Sequence, residues 1–176
     1  MLKPVYVVTP LFILAACASL TQEQCTNGDW NGIGYQDGVN GRLESYIDRH
    51  RESCSDYGIT PDLTAWLKGR AEGLKQYCTR PNAYAEGRSG DELNPVCTTD
   101  VDGLRLANFY GLRYFEITGQ IDTSREEIDT LMGLLEADDG SLPPETRQYY
   151  LTRINNLQSL ILDLIEERAK YAAVPA

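Results

Sequence analysis

Tyr35-Gln36-Asp37-Gly38-Val39-Asn40-Gly41 recurs as Tyr84-Ala85-Glu86-Gly87-Arg88-Ser89-Gly90, with aromatic, acidic and glycine residues at one spacing. A looser copy, Trp66-Leu67-Lys68-Gly69, is followed by Gly73. An aromatic residue three positions before a glycine shares its helix face, and we expect the next glycine to extend that face. Each glycine destabilises a helix by about 1 kcal/mol relative to alanine, but its missing side chain lets two backbones approach closely. The pattern predicts an all-α fold with close helix contacts; β-turns or a phosphate-binding loop are the alternatives.

The N-terminal sequence predicts an export signal. Lys3 precedes an apolar run over residues 5–14, which is far shorter than the roughly 20 residues of a membrane-spanning helix. Leu14-Ala15-Ala16-Cys17 follows and resembles a bacterial lipobox. This resemblance implies that residues 1–16 are removed as a signal peptide, that Cys17 is acylated, and that residues 17–24 form a short lipidated linker.

The residue after Cys17 bears on the location of the protein. Ala18 stands where an aspartate would resemble the inner-membrane retention signal of enterobacterial lipoproteins. We therefore expect a lipid-anchored protein of the bacterial cell envelope, at the periplasmic face of the outer membrane. An ordinary secretory signal that ends near a cysteine is the alternative.

The charge of the chain excludes one class of partner. The formal net charge is −10, and removal of residues 1–16 leaves 15 basic against 26 acidic residues, or −11. Such a charge opposes approach to phosphate-rich polymers, so we expect no nucleic-acid partner. About 160 residues remain, which is the length of one domain with its own core.

The remaining cysteines predict disulfides. An exported protein with an even number of cysteines is typical of disulfide-bonded domains, and four cysteines allow three pairings. We favour Cys25 with Cys54 and Cys78 with Cys97, because each pair closes a loop around one glycine-rich segment, and each would stabilise the fold by roughly 3 kcal/mol. A zinc site is the alternative, but the sequence contains no CxxC pair.

Helix signals organise the first half of the chain. Asp29 is a candidate cap for a helix from Trp30 to about Cys54, interrupted or softened by its glycines, and Thr60-Pro61-Asp62 predicts the start of a helix that reaches Cys78. Residues 82–95 are predicted to form a loop. We assign residues 25–100 to a disulfide-stapled, glycine- and tyrosine-rich helical module.

The second half, residues 101–172, predicts a C-terminal antiparallel helical hairpin packed with the module as one domain. Its first arm runs from Val101 to Leu135, and its second arm follows Pro143 and Pro144. Apolar residues of the second arm alternate steps of four and three, the seam spacing of paired helices: Tyr150, Ile154, Leu157, Ile161 and Leu164. Further apolar residues make residues 144–171 a candidate surface for self-association or for an envelope protein partner.

Candidate catalytic residues are few. His50 is the only histidine, and it lies within a run of charges typical of a solvated helix face, while no serine lies in a G-x-S-x-G setting. Asp37 and Glu86 could form a carboxylate pair of the glycosidase kind. We expect a non-enzymatic protein without cofactor or metal. The alternative is a glycan-binding or glycan-processing module of the cell wall that uses aromatic and acidic residues: Trp30, Tyr35, Asp37, Trp66, Tyr84 and Glu86.

One spacing set resembles a known family. It comprises Cys25, Asp29-Trp30, Gly34, Asp37-Gly38, Gly41, His50, Cys54, Trp66, Gly69, Gly73-Leu74, Tyr77-Cys78, Gly87, Gly90 and Cys97. This set resembles the bacterial lipoproteins grouped as domain of unknown function 2799, over residues 25 to about 120. The resemblance implies no catalytic residue, because the activity of that group is itself unassigned.

Overall fold

The structure, a computed structural model, describes residues 18–175. Within that range the chain forms α-helices and no β-strand, which confirms the predicted all-α class. The helices are α1 (Gln22–Asn27), α2 (Trp30–Val39), α3 (Tyr46–Ser55), α4 (Leu63–Tyr77), α5 (Arg80–Arg88), α6 (Val101–Glu136) and α7 (Pro144–Ala169). Among the described residues, none of these helices combines the length and the apolar character needed to cross a bilayer.

Helices α2 and α4 pack backbone to backbone through glycines. A Cβ on Gly34 would lie closer than 3.0 Å to the carbonyl oxygen of Trp66, and one on Gly69 would overlap the carbonyl oxygen of Asn31 in the same way. Real Cβ atoms essentially never make contacts that short. The close helix contact predicted from the glycine spacing is therefore present.

A second helix pair repeats this contact. In the first pair, a Cβ on Gly73 would overlap the carbonyl oxygen of Tyr35; in the second, a Cβ on Gly111 of α6 would overlap that of Tyr84 on α5. We call α2 and α4 with α1 and α3 the first unit, and α5 with residues 101–115 of α6 the second unit. The repeated sequence thus corresponds to a repeated structure, in which the looser copy at Trp66 is the partner helix of the first unit.

The second glycine of each repeat ends its helix, whereas the sequence predicted that it extends the packing face. Gly41 and Gly90 have φ of 61° and 89°, and both follow the last residue of a helix. The N–H of Arg42 donates to the Asp37 carbonyl, and the N–H of Asp91 donates to the Glu86 carbonyl, the six-residue bond of a Schellman cap. Glycine is favoured here because its left-handed conformation carries no Cβ penalty.

One predicted boundary is wrong. The helix expected from Trp30 to about Cys54 is interrupted at a glycine, Gly41, which divides it into α2 and α3. The segment expected to be a loop, residues 82–95, begins instead as α5, because the Thr79 side chain caps the helix and Pro81 lies in its first turn, where proline is tolerated. The helix expected to start after Asp62 is present as α4, with the Asp62 carboxylate accepting from the Ala65 N–H.

The cysteines pair as favoured, Cys25 with Cys54 and Cys78 with Cys97, each at a Cα–Cα distance of 5.6 Å. The first pair is fully buried in the core of the first unit. The first disulfide joins α1 to α3, and the second joins the end of α4 to the segment between α5 and α6.

The predicted hairpin is confirmed. Helix α6 extends beyond the second unit, and α7 returns along it through an aliphatic seam that includes Ile121, Ile128, Leu157 and Leu164. At 1.5 Å per residue α6 is about 54 Å long. Arg153 of α7 bonds Glu127 of α6 with both ends of its guanidinium fork, at 2.6 and 2.8 Å.

Candidate functional site

A buried polar network lies in the first unit and joins three of its helices. Asp37 of α2 accepts from His50 Nε2 of α3 at 2.7 Å and from Trp66 Nε1 of α4 at 2.8 Å, both on its Oδ2 atom. His50 and Trp66 are 2% and 0% exposed, and Asp37 is 8% exposed. The two donors give this buried carboxylate hydrogen-bond partners, as a buried polar group requires.

The network continues to the N-terminal segment. Ser19 Oγ lies 2.8 Å from His50 Nδ1 and 3.0 Å from Ser53 Oγ, and the Ser19 N–H donates to Ser53 Oγ at 2.9 Å. Because the Asp37 carboxylate accepts from Nε2, a neutral His50 has its proton there, and Nδ1 accepts from the Ser19 hydroxyl. Leu20, the next residue, is buried in the core of the first unit.

A cleft of about 560 Å³ opens beside this network. Ser19 and His50 line one part of it, and Arg42 and Tyr46 line another. The Tyr46 ring packs edge-on against the His50 ring, with centroids 5.1 Å apart. The N-terminal segment thus forms part of a cleft wall.

The order Ser19, His50, Asp37 resembles the hydrogen-bond chain of a serine hydrolase, in which the base takes the serine proton. Acyl transfer also requires N–H donors for the developing oxyanion, and the serine's own N–H is one of them in chymotrypsin-like sites. Here the Ser19 N–H is bonded to Ser53 Oγ, and its hydroxyl also contacts Ser53. The bonds of Ser19 therefore fasten the segment to α3.

A second buried polar residue, Arg70 of α4, supports the turn after α2. Its Nε donates to the Arg42 carbonyl at 2.8 Å, and Nη1 lies 3.7 Å from Glu44. Burial lowers the pKa of the Arg70 guanidinium, which Glu44 and Asp37 counteract. In the second unit Asn108 takes the same place, and its Nδ2 donates to the Asp91 carbonyl at 3.0 Å.

The structure separates the six residues proposed for glycan contact. Trp30 and Trp66 are buried in the core of the first unit, and Asp37 is buried in the polar network at the edge of the cleft. Tyr35, Tyr84 and Glu86 are half-buried. The Tyr35 hydroxyl accepts from Gln76, and the Tyr84 hydroxyl donates to the Tyr171 carbonyl at 2.8 Å.

The proposed carboxylate pair is not assembled. Asp37 lies in the first unit with its hydrogen bonds to His50 and Trp66, whereas Glu86 lies on α5 of the second unit. His50, expected on a solvated face, is buried. The structure describes no group of three or more His, Cys, Asp or Glu side chains in residues 18–175 that could hold a metal ion. Cys17, the predicted lipidation site, lies outside the described residues.

Sequence reasoning missed Ser19 and Arg70. Ser19 lies 31 residues before His50, and no local pattern signals that contact. Arg70 did carry a signal, because it lies three residues before Gly73 and four after Trp66 and therefore shares the face that packs on α2.

Comparison with known proteins agrees with the predicted resemblance. Residues 29–111 match the family described as "Protein of unknown function (DUF2799)", so the resemblance is confirmed over that range. The chain is 33% identical over 72 residues to "Uncharacterized protein YfiL" of Escherichia coli (strain K12). The match covers 41% of this chain and 54% of that protein, so it spans about half the length of the relative. No solved structure matches the chain.

Proposed function

We propose that this chain, whose residues 29–111 match a family of unknown function, is a lipid-anchored protein of the bacterial cell envelope. In this proposal Cys17 carries the lipid, and the protein works without catalysing a reaction, as a structural or protein-interaction lipoprotein of the outer membrane. The lipobox-like sequence before Cys17 supports the anchor. The two disulfides favour an oxidising compartment such as the periplasm.

The polar network supports a non-enzymatic role. Both the N–H and the hydroxyl of Ser19 are hydrogen-bonded to side chains of α3, which favours a structural role for Ser19 over a role as a nucleophile. A fluorophosphonate probe tests this directly, because it labels activated serines. We expect no labelling of Ser19; labelling that disappears in a Ser19→Ala variant and in a His50→Gln variant would overturn the non-enzymatic proposal.

The interaction role rests on one observation, the apolar surface of α7 outside the seam. Leu162 is 68% exposed, and Leu151, on the same face of α7, is 44% exposed, whereas Leu157 in the seam is 3% exposed. Leu160 lies on a different face and lines a groove of about 480 Å³ between α6 and α7, together with Gly119 of α6. Large apolar side chains exposed on one helix face are typical of a surface that meets a partner.

Cell fractionation tests the anchor. A Cys17→Ser variant should lose acyl labelling and should leave the membrane fraction, whereas a Cys17-retaining Ser19→Ala variant should keep both. Unchanged membrane retention of Cys17→Ser would contradict lipid anchoring.

Light scattering tests the interaction surface with the chain from Ala18 onward. We expect self-association that Leu162→Glu abolishes while the helical circular dichroism signal stays unchanged. Leu157→Glu is the matched core variant and should unfold the hairpin. A protein that is monomeric, and that captures no envelope protein in crosslinking of the lipidated form, would contradict the interaction role.

A further inference from the structure

The described N-terminal residues that follow the proposed lipidation site are packed against the first unit. Ser19 and Leu20 are fixed to the first unit, and α1 begins at Gln22 with a capping box made by Thr21 and Gln24. The predicted linker over residues 17–24 is therefore mostly part of the fold. Only Ala18 lies between Cys17 and Ser19, and an extended chain spans at most about 7 Å over these two residue steps.

Two arginines and a tyrosine form a stack near Ser19. The Arg42 guanidinium lies 4.6 Å from the centroid of the Tyr46 ring, and that of Arg49 lies 5.7 Å from it. Arg42 and Tyr46 line the cleft that contains Ser19, and with Leu43 and Arg49 they also line a smaller cleft of about 290 Å³. Leu43 is 48% exposed. We call Arg42, Leu43, Tyr46 and Arg49 the anchor-side patch.

The patch is locally cationic in an acidic protein. Among the described residues, neither Arg42 nor Arg49 forms an ion pair, because the neighbouring Glu44 and Asp48 pair with Arg70 and Arg51. In the second unit the position of Arg42 is taken by Asp91, since both follow the cap glycine. At the position after the cap glycine, the first unit thus has a cationic residue where the second unit has an acidic one.

We infer that the anchor-side patch lies against the anionic phospholipid headgroups of the leaflet that holds acylated Cys17. Arginine binds phosphate through its planar fork of donors, and tyrosine and leucine suit the boundary between headgroups and acyl chains. The net charge of −11 that remains after removal of residues 1–16 would repel the rest of the protein from an anionic surface, so the cationic patch also sets the orientation. This inference rests on the proposed lipid anchor.

Tryptophan quenching in proteoliposomes tests the inference with the acylated, full-length protein. The vesicles contain phosphatidylglycerol and a phospholipid brominated on its acyl chains, which quenches tryptophans that reach the bilayer. We expect quenching of a Leu43→Trp variant and little quenching of a Leu134→Trp variant. Leu134 is similarly exposed but lies 19 residues further along α6 than the end of the second unit, or about 28 Å.

A matched pair of arginine variants tests the cause. In the Leu43→Trp background, Arg42→Gln with Arg49→Gln should reduce membrane contact by roughly fivefold for each arginine, and phosphatidylcholine vesicles should have a similar effect. Arg88→Gln is the control, because Arg88 also stacks on tyrosine rings but lies in the second unit, so it should leave the quenching unchanged.

Flotation of the same vesicles separates the two proposals. Failure of the protein to float would overturn the lipid anchor and the inference with it. Flotation with equal quenching at positions 43 and 134, or with quenching unaffected by the double arginine variant, would overturn the inference alone. If Leu43→Trp alters the circular dichroism spectrum, Ser45→Trp provides a second probe on the same cleft.

Discussion

The two units share one backbone arrangement but differ in what fills it. Gly38 and Gly73 of the first unit correspond to Gly87 and Gly111 of the second, and the cap glycines abut Tyr77 in one and Phe115 in the other. By the same register, Ala83 and Ala107 of the second unit take the positions of Gly34 and Gly69. The shared features are backbone contacts, and the differences are side chains.

The difference locates the part of the molecule that the fold alone does not require. The second unit forms its Schellman cap, and the hydrogen bond from Asn108 to the Asp91 carbonyl, without a histidine, a buried carboxylate or a tryptophan. The first unit adds Asp37, His50 and Trp66 and uses them to hold Ser19. These three residues hold the N-terminal segment against α3, which supports the proposal that the first unit lies next to a lipid anchor at Cys17.

The largest effect should come from a methyl group in the tightest helix contact. Gly69→Ala places a Cβ against the Asn31 carbonyl oxygen and the Tyr35 nitrogen, and neither backbone atom can move away without separating α2 from α4. We expect a loss of about 3 kcal/mol or more in the free energy of unfolding, measured by urea denaturation.

Gly119→Ala is the matched control for that prediction. Gly119 lies in α6, and a Cβ there would meet no atom within 4 Å. The same substitution should therefore stabilise the protein by about 0.5 to 1 kcal/mol through helix propensity. Equal effects of the two variants would contradict the role given to the glycine contact.

The next largest effect should distinguish the acidic residues at equivalent positions of the two repeats. Asp37→Ala removes the acceptor of two buried donors, and leaving such groups unpaired costs about 3 kcal/mol or more. Glu86→Ala in the second unit should cost less than about 1 kcal/mol, because Glu86 is only half-buried. A comparable loss of stability in both variants would show that the polar network of the first unit contributes no stability beyond the helix contacts that the two units share.

Disulfide removal should also affect the units unequally. The loops closed by the two disulfides span 29 and 19 residues, so the chain-entropy contributions are close to each other, at roughly 3 kcal/mol each. Cys25 and Cys54 are fully buried, whereas Cys78 and Cys97 are half-buried. The double alanine variant of the first pair should therefore lose more stability, since it also leaves a cavity. Thermal unfolding of the two double variants checks the order.

The sequence predicted those features of the fold that local patterns encode. Glycine spacing identified the helix contacts because the absence of a Cβ has a direct geometric consequence, and the apolar seam of α7 identified the hairpin. Gly41 could not be distinguished from Gly38 by type, although one adopts a left-handed turn and the other packs within a helix. The glycine, serine and asparagine residues around α5 favoured a loop, and tertiary packing on α6 outweighed that local preference.

The candidate site was less predictable, because it depends on contacts between distant segments. Asp37, His50 and Trp66 were each noted in the sequence, but nothing local indicates that one carboxylate oxygen receives both donors. Burial places Trp30 and Trp66 in the core, as their helical spacing favours, whereas the sequence offered them as glycan contacts only under the alternative function. The position of Ser19 follows only from the way Leu20 and the disulfide of Cys25 hold the N-terminal segment on α3.

The smallest effect concerns the start of α6 in the second unit and depends on pH. Hydrogen bonds from Arg80 lower the pKa of the Asp100 carboxyl from its usual 3.8, with Arg80 Nε 2.7 Å from Oδ2. A carboxyl whose pKa is lowered in the folded state stabilises that state fully above the unfolded pKa, and the contribution disappears as the pH falls through the folded pKa.

Asp100 has φ of 49°, a conformation that asparagine tolerates well, so Asp100→Asn removes the charge without adding backbone strain. The wild-type protein should therefore be slightly more stable than Asp100→Asn at pH 7; the difference should decline as the pH falls below 3.8 and vanish below the lowered pKa of the folded state. Asp102→Asn is the control, because the Asp102 carboxylate is fully exposed and its ion pair with Arg105 is long, at 3.9 Å. A stability difference between the wild-type protein and Asp100→Asn that persists in acid would show that the charge of Asp100 is not its cause.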